Sequence, residues 1–160
     1  EIKKRFQDII ENLHKEKENE KNTLEKERNI TVSETKEPLI NEETEKQILK
    51  NLKSFEEKNK FLSKDLSTTT MASALKTTPR RLSYILNIHR NNDFNSYINK
   101  MRINYIVREL IDDKRLRNYK IAALADLCGY NTHSQFTVIF KNEKGITPSQ
   151  FLDLLNKNTP

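Results

Sequence analysis

Two stretches of this chain repeat one another at a nearly fixed distance. Residues 68–75 align with 121–128 at an offset of 53, and residues 82–98 align with 136–152 at an offset of 54. The matches keep chemical class. Met71 falls on Leu124, Ala72 on Ala125, Leu75 on Cys128 and Leu82 on Phe136. Ile85 falls on Ile139, Leu86 on Phe140, Tyr97 on Phe151 and Ile98 on Leu152. Within each copy the apolar positions recur at i, i+3 and i+4, the period of a helix with one buried face. The change of offset falls between positions 75 and 82, in a turn, where an extra residue is tolerated. The chain is therefore constrained to build one helix-turn-helix unit twice, the second with a turn one residue longer.

The second copy reads clearly. IAALADLC (121–128) is a short helix with Ile121, Leu124 and Ala125 on one face, and Gly129 ends it. A helix C′ residue often needs φ > 0, which glycine adopts without strain. Thr132 to Gln135 has the Thr-x-x-Gln form of a capping box and starts the next helix, with Phe136, Ile139 and Phe140 facing inward. Gly145 ends that helix, Thr147 caps another with Pro148 at its first position, and Phe151, Leu152 and Leu155 pack inward. Gly129 and Gly145 are the only glycines in the chain. The first copy uses other residues. Thr78 is the expected N-cap, Pro79 the first helical residue, Asn91 the substitute for Gly145, and Lys76 or a neighbour stands where Gly129 would be. Ala72 and Ala125 allow two helices to approach closely across a short turn.

Outside the repeat, Ile2, Phe6, Ile9 and Leu13 form a short helical stripe that stops after two heptads at Glu16 and Glu20. Residues 14–28 are polar on every face and predict a solvated helix or a disordered tether, with a dimerising stalk as the functional alternative. Residues 29–41 read as a linker, and Asn41 caps a helix over 42–57 carrying Ile48, Leu49, Leu52 and Phe55. Charge divides the chain. Residues 1–60 hold 14 Lys+Arg against 15 Asp+Glu, whereas residues 61–160 hold 15 against 8, a net of +7. A basic domain favours polyanions. The single cysteine excludes an internal disulfide, and with three scattered histidines it makes no familiar zinc spacing. Cys128 is expected to be a buried thiol. No catalytic triad at a glycine-supported elbow, phosphate loop or metal cluster is visible, so neither an enzyme nor a cofactor is expected. The first residue is Glu, which suggests a piece of a longer protein.

The pattern I-A-x-L-A-x-x-x-G-Y-x-T-x-S-x-F-x-x-x-F-K-x-x-x-G-x-T-P-x-x-F, read over 121–151, resembles the second helix-turn-helix of AraC-type transcriptional regulators. The resemblance extends over about 42–156, and the first copy departs from it by lacking both glycines. DNA-repair proteins with such a domain carry extra cysteine ligands that this chain lacks. Upstream, the charged stripe resembles the cytoplasmic stalk of regulators that join a periplasmic repeat domain, a membrane span and a C-terminal domain of this type. The expected fold is all-α, with about seven helices in two helix-turn-helix subdomains joined by a long central helix. The boundaries are a charged stalk and linker, helical or disordered, at 1–41 and a DNA-binding domain at 42–156. Its units span about 67–90 and 120–144, with the joining helix at 93–112.

The resemblance implies sequence-specific binding to double-stranded DNA in the cytoplasm, with the full-length protein a candidate for membrane tethering. The joining helix spans roughly 30 Å, close to one turn of B-DNA at about 34 Å. Opposite the core side of 78–90 lie Arg80, Arg81, Ser83, Tyr84 and Asn87, and on 132–144 the outer side offers His133, Ser134, Gln135, Val138 and Lys141. By family alignment, base readers stand at Arg80, Ser83, Tyr84, Ser134, Gln135 and Val138. Arg pairs with guanine, Gln with adenine, and Val138 suits a thymine methyl. Thr78 and Thr132 suit phosphates at helix starts, and Lys120, in the basic run 114–120, suits non-specific phosphate contact. The alternatives are that Gln135 only closes its capping box, that Arg80 and Arg81 are solvated surface, and that Val138 packs on a neighbouring loop; His133 is open either way. RNA polymerase and a second copy joined through the stalk are further candidate partners, and no small-molecule site is expected. The rival function is a helix-turn-helix module that binds protein.

Overall fold

The computed structural model describes residues 1–22 and 40–158, which hold eight α-helices and no strand. They are α1 (Ile2–Asn22), α2 (Glu42–Glu57), α3 (Thr68–Ala74), α4 (Pro79–Arg90), α5 (Phe94–Asp112), α6 (Ile121–Leu127), α7 (His133–Lys144) and α8 (Pro148–Asn158). Short 3₁₀ turns at Lys60–Leu62 and Lys114–Asn118 precede α3 and α6. The all-α expectation holds. Most of the expected linker falls on residues outside the described ones.

Two hydrophobic clusters divide the molecule. The first gathers Ile48, Leu52 and Phe55 of α2, Phe61, Met71 and Ala72, then Leu82, Ile85 and Leu86 of α4. The second gathers Leu124, Ala125 and Cys128, Phe136 and Phe140 of α7, and Phe151, Leu152 and Leu155 of α8. The long helix α5 serves both. Its Tyr97 and Ile98 belong to the first cluster, and Ile103, Ile106, Val107 and Leu110 to the second. Phe136, Phe140 and Phe151 meet in successive tilted and edge contacts with ring centroids 5.7 Å apart, a favoured aromatic arrangement.

The two turns are copies in hydrogen-bond detail. The Leu75 amide returns to the Met71 carbonyl and the Thr77 amide to Ala72; the Cys128 amide returns to Leu124 and the Tyr130 amide to Ala125. Each α3 or α6 thus closes with one left-handed residue, Lys76 at φ +56 and Gly129 at φ +84. Asn91 (φ +51) and Gly145 (φ +75) end the longer helices the same way. The Thr78 and Thr132 hydroxyls each accept the amide three residues on, so both cap as expected. Thr77 matches Tyr130 and Thr78 matches Thr132, which makes Asn131 the added residue.

Only half of the expected capping box at 132–135 forms. Thr132 caps the Gln135 amide at 3.2 Å, but the Gln135 side chain does not return to the Thr132 amide. The complete Thr-x-x-Gln box is at the next helix start, where the Gln150 side-chain Oε1 accepts from the Thr147 amide and the Thr147 hydroxyl accepts from the Gln150 amide. A second complete box, Ser67 with Thr70, starts α3. The basic run before α6 is likewise not wholly solvated. Arg117 is buried and donates to the carbonyls of Leu110 (2.7 Å) and Ile111 (2.9 Å), satisfying the end of α5. Arg115 pairs with Asp113, while Lys120 is exposed.

The N-terminal stripe turns inward. Phe6, Ile9 and Leu13 are buried in the second cluster, and the Phe6 ring lies 5.5 Å from that of Phe151. Glu16 pairs with Arg108 and Lys17 with Asp112, so α1 is tied to α5 as well. Replacing Phe6 with Ala should lower stability by about 3 kcal/mol in urea denaturation, whereas a solvated stripe would shift it within roughly 0.5 kcal/mol.

The glycines differ in what surrounds them. A Cβ at Gly129 would sit 2.4 Å from the Leu62 carbonyl oxygen, which is backbone, whereas at Gly145 it would meet the guanidinium end of Arg5. Left-handed backbone costs either alanine variant about 1–2 kcal/mol. Gly129→Ala should lose a further ~1–3 kcal/mol from overpacking, measured as the difference in denaturation midpoints. Gly145→Asn should be the mildest change, since Asn91 already holds that place in the first copy.

Candidate nucleic-acid interface

α4 and α7 are each twelve residues long and capped at the start by a threonine. α4 buries Leu82, Ile85 and Leu86 and α7 buries Phe136 and Phe140, while Ile139, also expected to face inward, is half-buried against the second cluster. What remains outside is mostly polar, with Ile88 and Val138 as exposed apolar residues, and the outer positions occur twice at the repeat offset. Arg80 stands where Ser134 does, Arg81 where Gln135 does, Tyr84 where Val138 does, and Asn87 where Lys141 does.

All of these except Tyr84 are exposed; Tyr84 is half-buried, its ring resting against the first cluster. His133 is exposed at the start of α7. Val138 is 59% exposed and does not pack on a neighbouring loop. Gln135, released from the capping box, has its amide on the surface. Ser83 is exposed, but its hydroxyl donates to the Pro79 carbonyl at 2.9 Å, so outward it offers only an acceptor. Thr78 and Thr132 use a lone pair on the helix amide, and each keeps its own hydroxyl proton for an outside acceptor.

Ile88 was not singled out by its sequence position, yet it is 61% exposed on α4, one turn beyond Tyr84. Its signal was available. It is an apolar residue that the pattern 82, 85, 86 leaves off the buried face. Lys144, by contrast, is turned inward from the end of α7 and donates to Asn104 at 2.7 Å. Burial pulls its pKa down.

Other chemistry is sparse. Among the described residues no group of His, Cys, Asp and Glu could hold a metal ion. Cys128 is fully buried, its thiol donates to the Leu124 carbonyl, and burial pushes its pKa up to about 12. It packs as the small hydrophobe its repeat mate Leu75 implies. Among the described residues no helix is long and apolar enough to cross a membrane.

A family model described as a helix-turn-helix domain matches residues 71–153. The chain is 30% identical over 96 residues to the HTH-type transcriptional regulator AdiY of Escherichia coli, covering 60% of this chain and 36% of that protein. It is 33% identical over 82 residues to the porin thermoregulatory protein EnvY of the same organism, covering 51% and 30%. It thus spans about a third of the length of these relatives. A solved transcriptional regulator from Chromobacterium violaceum, described as containing an AraC-type DNA-binding domain, superposes with a TM-score of 0.57 at 17% identity. That match covers 74% of this chain and all of the other. The doubled turn geometry, the family match and these relatives agree: the chain belongs to the AraC-type family of helix-turn-helix transcription regulators.

Proposed function

We propose that this domain binds double-stranded DNA at specific sequences by inserting α4 and α7 into successive major grooves. The observation that carries this is the doubled outer face: two capped helices with buried inner sides present the same exposed positions at a fixed repeat offset. The net +7 over residues 61–160 supplies the field that draws a polyanion. A helix of the length of α5 spans roughly 28 Å, near the ~34 Å between grooves on one face of the duplex.

In this binding mode Arg80 and Arg81 address guanine, Gln135 addresses adenine, and Val138 and Tyr84 meet thymine methyls or sugar edges. Ser83, Ser134, His133 and Lys141 line the same two faces. Thr78 and Thr132 donate their free hydroxyl protons to phosphate, and Lys120 adds a contact that carries no sequence information. The domain works on the cytoplasmic side, where DNA is. Pairing of two chains through an N-terminal stalk would compete with the second cluster for Phe6, Ile9 and Leu13.

Binding to random duplex should weaken steeply with salt, with a log–log slope of about −5 if six phosphates are engaged. Absence of binding at low salt would overturn the DNA assignment and favour a protein partner. On a site selected from a random pool, Gln135→Ala should relax preference at particular bases by about 1–3 kcal/mol. Lys120→Ala should weaken all sequences alike and reduce the salt slope by about one. Equal behaviour of the two variants would refute the assignment of readers.

A further inference from the structure

A single helix gripped at its two ends by separate bodies holds their relative orientation only through its own resistance to bending and twisting. The fully buried residues of α5 divide between the clusters, with the changeover between Ile98 and Ile103, while the half-buried Tyr105 packs against both. At that changeover stands Arg102, a buried arginine with no carboxylate partner among its hydrogen bonds. Its Nε donates to the Phe61 carbonyl at 2.8 Å and its Nη2 to the Ser63 carbonyl at 2.7 Å. Both acceptors belong to the connection that leaves α2, in the first half of the molecule. On its other side the guanidinium lies 5.2 Å from the centre of the Tyr130 ring, close enough for cation–π attraction. Tyr130 is the turn residue of the second unit, and its hydroxyl donates to Asn99, one turn earlier on α5.

The two bodies meet directly at this point. Leu62 packs against both clusters. Its carbonyl lies so close to Gly129 that a Cβ there would come within 2.4 Å of it, and within 3.1 Å of the Arg102 guanidinium carbon. Phe61 meets Tyr105 edge-on at 6.1 Å, and Lys64 pairs with Asp126 of α6. A second connection therefore runs beside α5, from 61–64 to 126–130, with Arg102 at its centre. A strut with a parallel tie resists bending and twisting more than the strut alone.

We propose that Arg102 is a positioning residue that sets the relative orientation of α4 and α7, so that both grooves of a site are met by one rigid body. The assignment rests on the two-groove binding mode proposed above. Arginine suits the position because one planar fork serves two carbonyls and an aromatic face at once. A lysine there would serve them only in part. Gly129 is part of the same device, since any side chain would push Leu62 off the turn.

The test uses a two-groove site selected from a random pool, the same site with either half scrambled, and the site with one base pair inserted between halves. Arg102→Met should lose about tenfold on the full site, because linked modules gain affinity only when their geometry allows joint engagement. It should bind each half-site within about twofold of wild type and suffer less from the inserted base pair. Arg102→Lys should fall between, and serves if the Met variant does not fold. Spin labels at Ile88→Cys and Asn142→Cys, both exposed, should show a broader distance distribution in either variant without DNA. Equal losses on full and half-sites, or an unbroadened distribution, would overturn the proposal. A wild-type footprint over a single groove would overturn the two-groove mode itself, and is distinguishable because it needs no variant.

Discussion

Everything in this molecule is arranged around α5, because neither cluster closes without it. A 19-residue helix buried at one end by α2 and α4 and at the other by α6, α7 and α8 cannot be amphipathic in the usual sense. Its buried residues must lie on more than one side. That is why Tyr97, Ile98, Ile103, Ile106, Val107 and Leu110 do not form one narrow stripe. The polar groups at both levels of the helix are then matched individually. The Tyr97 hydroxyl donates to Glu56, which Arg90 also holds, so α2, α4 and α5 are joined at one carboxylate. Burial and the neighbouring Glu56 push the Tyr97 phenol well above its ordinary range. At the far end Arg117 closes the last carbonyls of α5. These groups carry no candidate role toward DNA, yet they hold the helices that do.

The repeat shows which features of the unit are general and which are local. Both turns close with the same hydrogen bonds and both need a left-handed residue, but only one uses glycine. Lys76 holds that conformation with its side chain in solvent. Gly129 cannot be replaced so easily, because the Leu62 backbone occupies the space a side chain would need. The turn alone therefore does not explain the glycine. The close approach of the other subdomain does. The same comparison applies to Asn91 and Gly145, where the neighbour of the glycine is the movable Arg5 side chain.

Much of this was legible in the residue pattern. The doubled helix-turn-helix, the caps at Asn41, Thr78 and Thr132, and the inward faces of α4 and α7 follow from periodicity and capping chemistry, which are local. The candidate readers stand opposite those faces, and all of them except the half-buried Tyr84 are exposed. What was not legible depends on which oxygen or ring comes near from elsewhere in the chain. The pattern Thr-x-x-Gln occurs at 132–135 and at 147–150, and only the second closes. Arg117 reads as one more charge in a basic run, and Arg102 carries no local signal at all. Both are buried because backbone carbonyls await them.

The charged N-terminal segment marks the same boundary. Its composition specifies a helix with a short apolar stripe and nothing more, since Ile2, Phe6, Ile9 and Leu13 would suit a coiled coil, a membrane-proximal tether or a groove equally well. The choice of α8 as its partner came from Phe151 standing beside Phe6 with Glu16 and Lys17 in reach of Arg108 and Asp112. Helices, turns and caps arise from interactions between residues a few positions apart, so the chain carries them in its order. The orientation of the two units arises from contacts between residues some forty to seventy positions apart: Arg102 with the 61–63 carbonyls, Leu62 with Gly129, and Lys64 with Asp126. No local period encodes such meetings, and they exist only once the chain has folded.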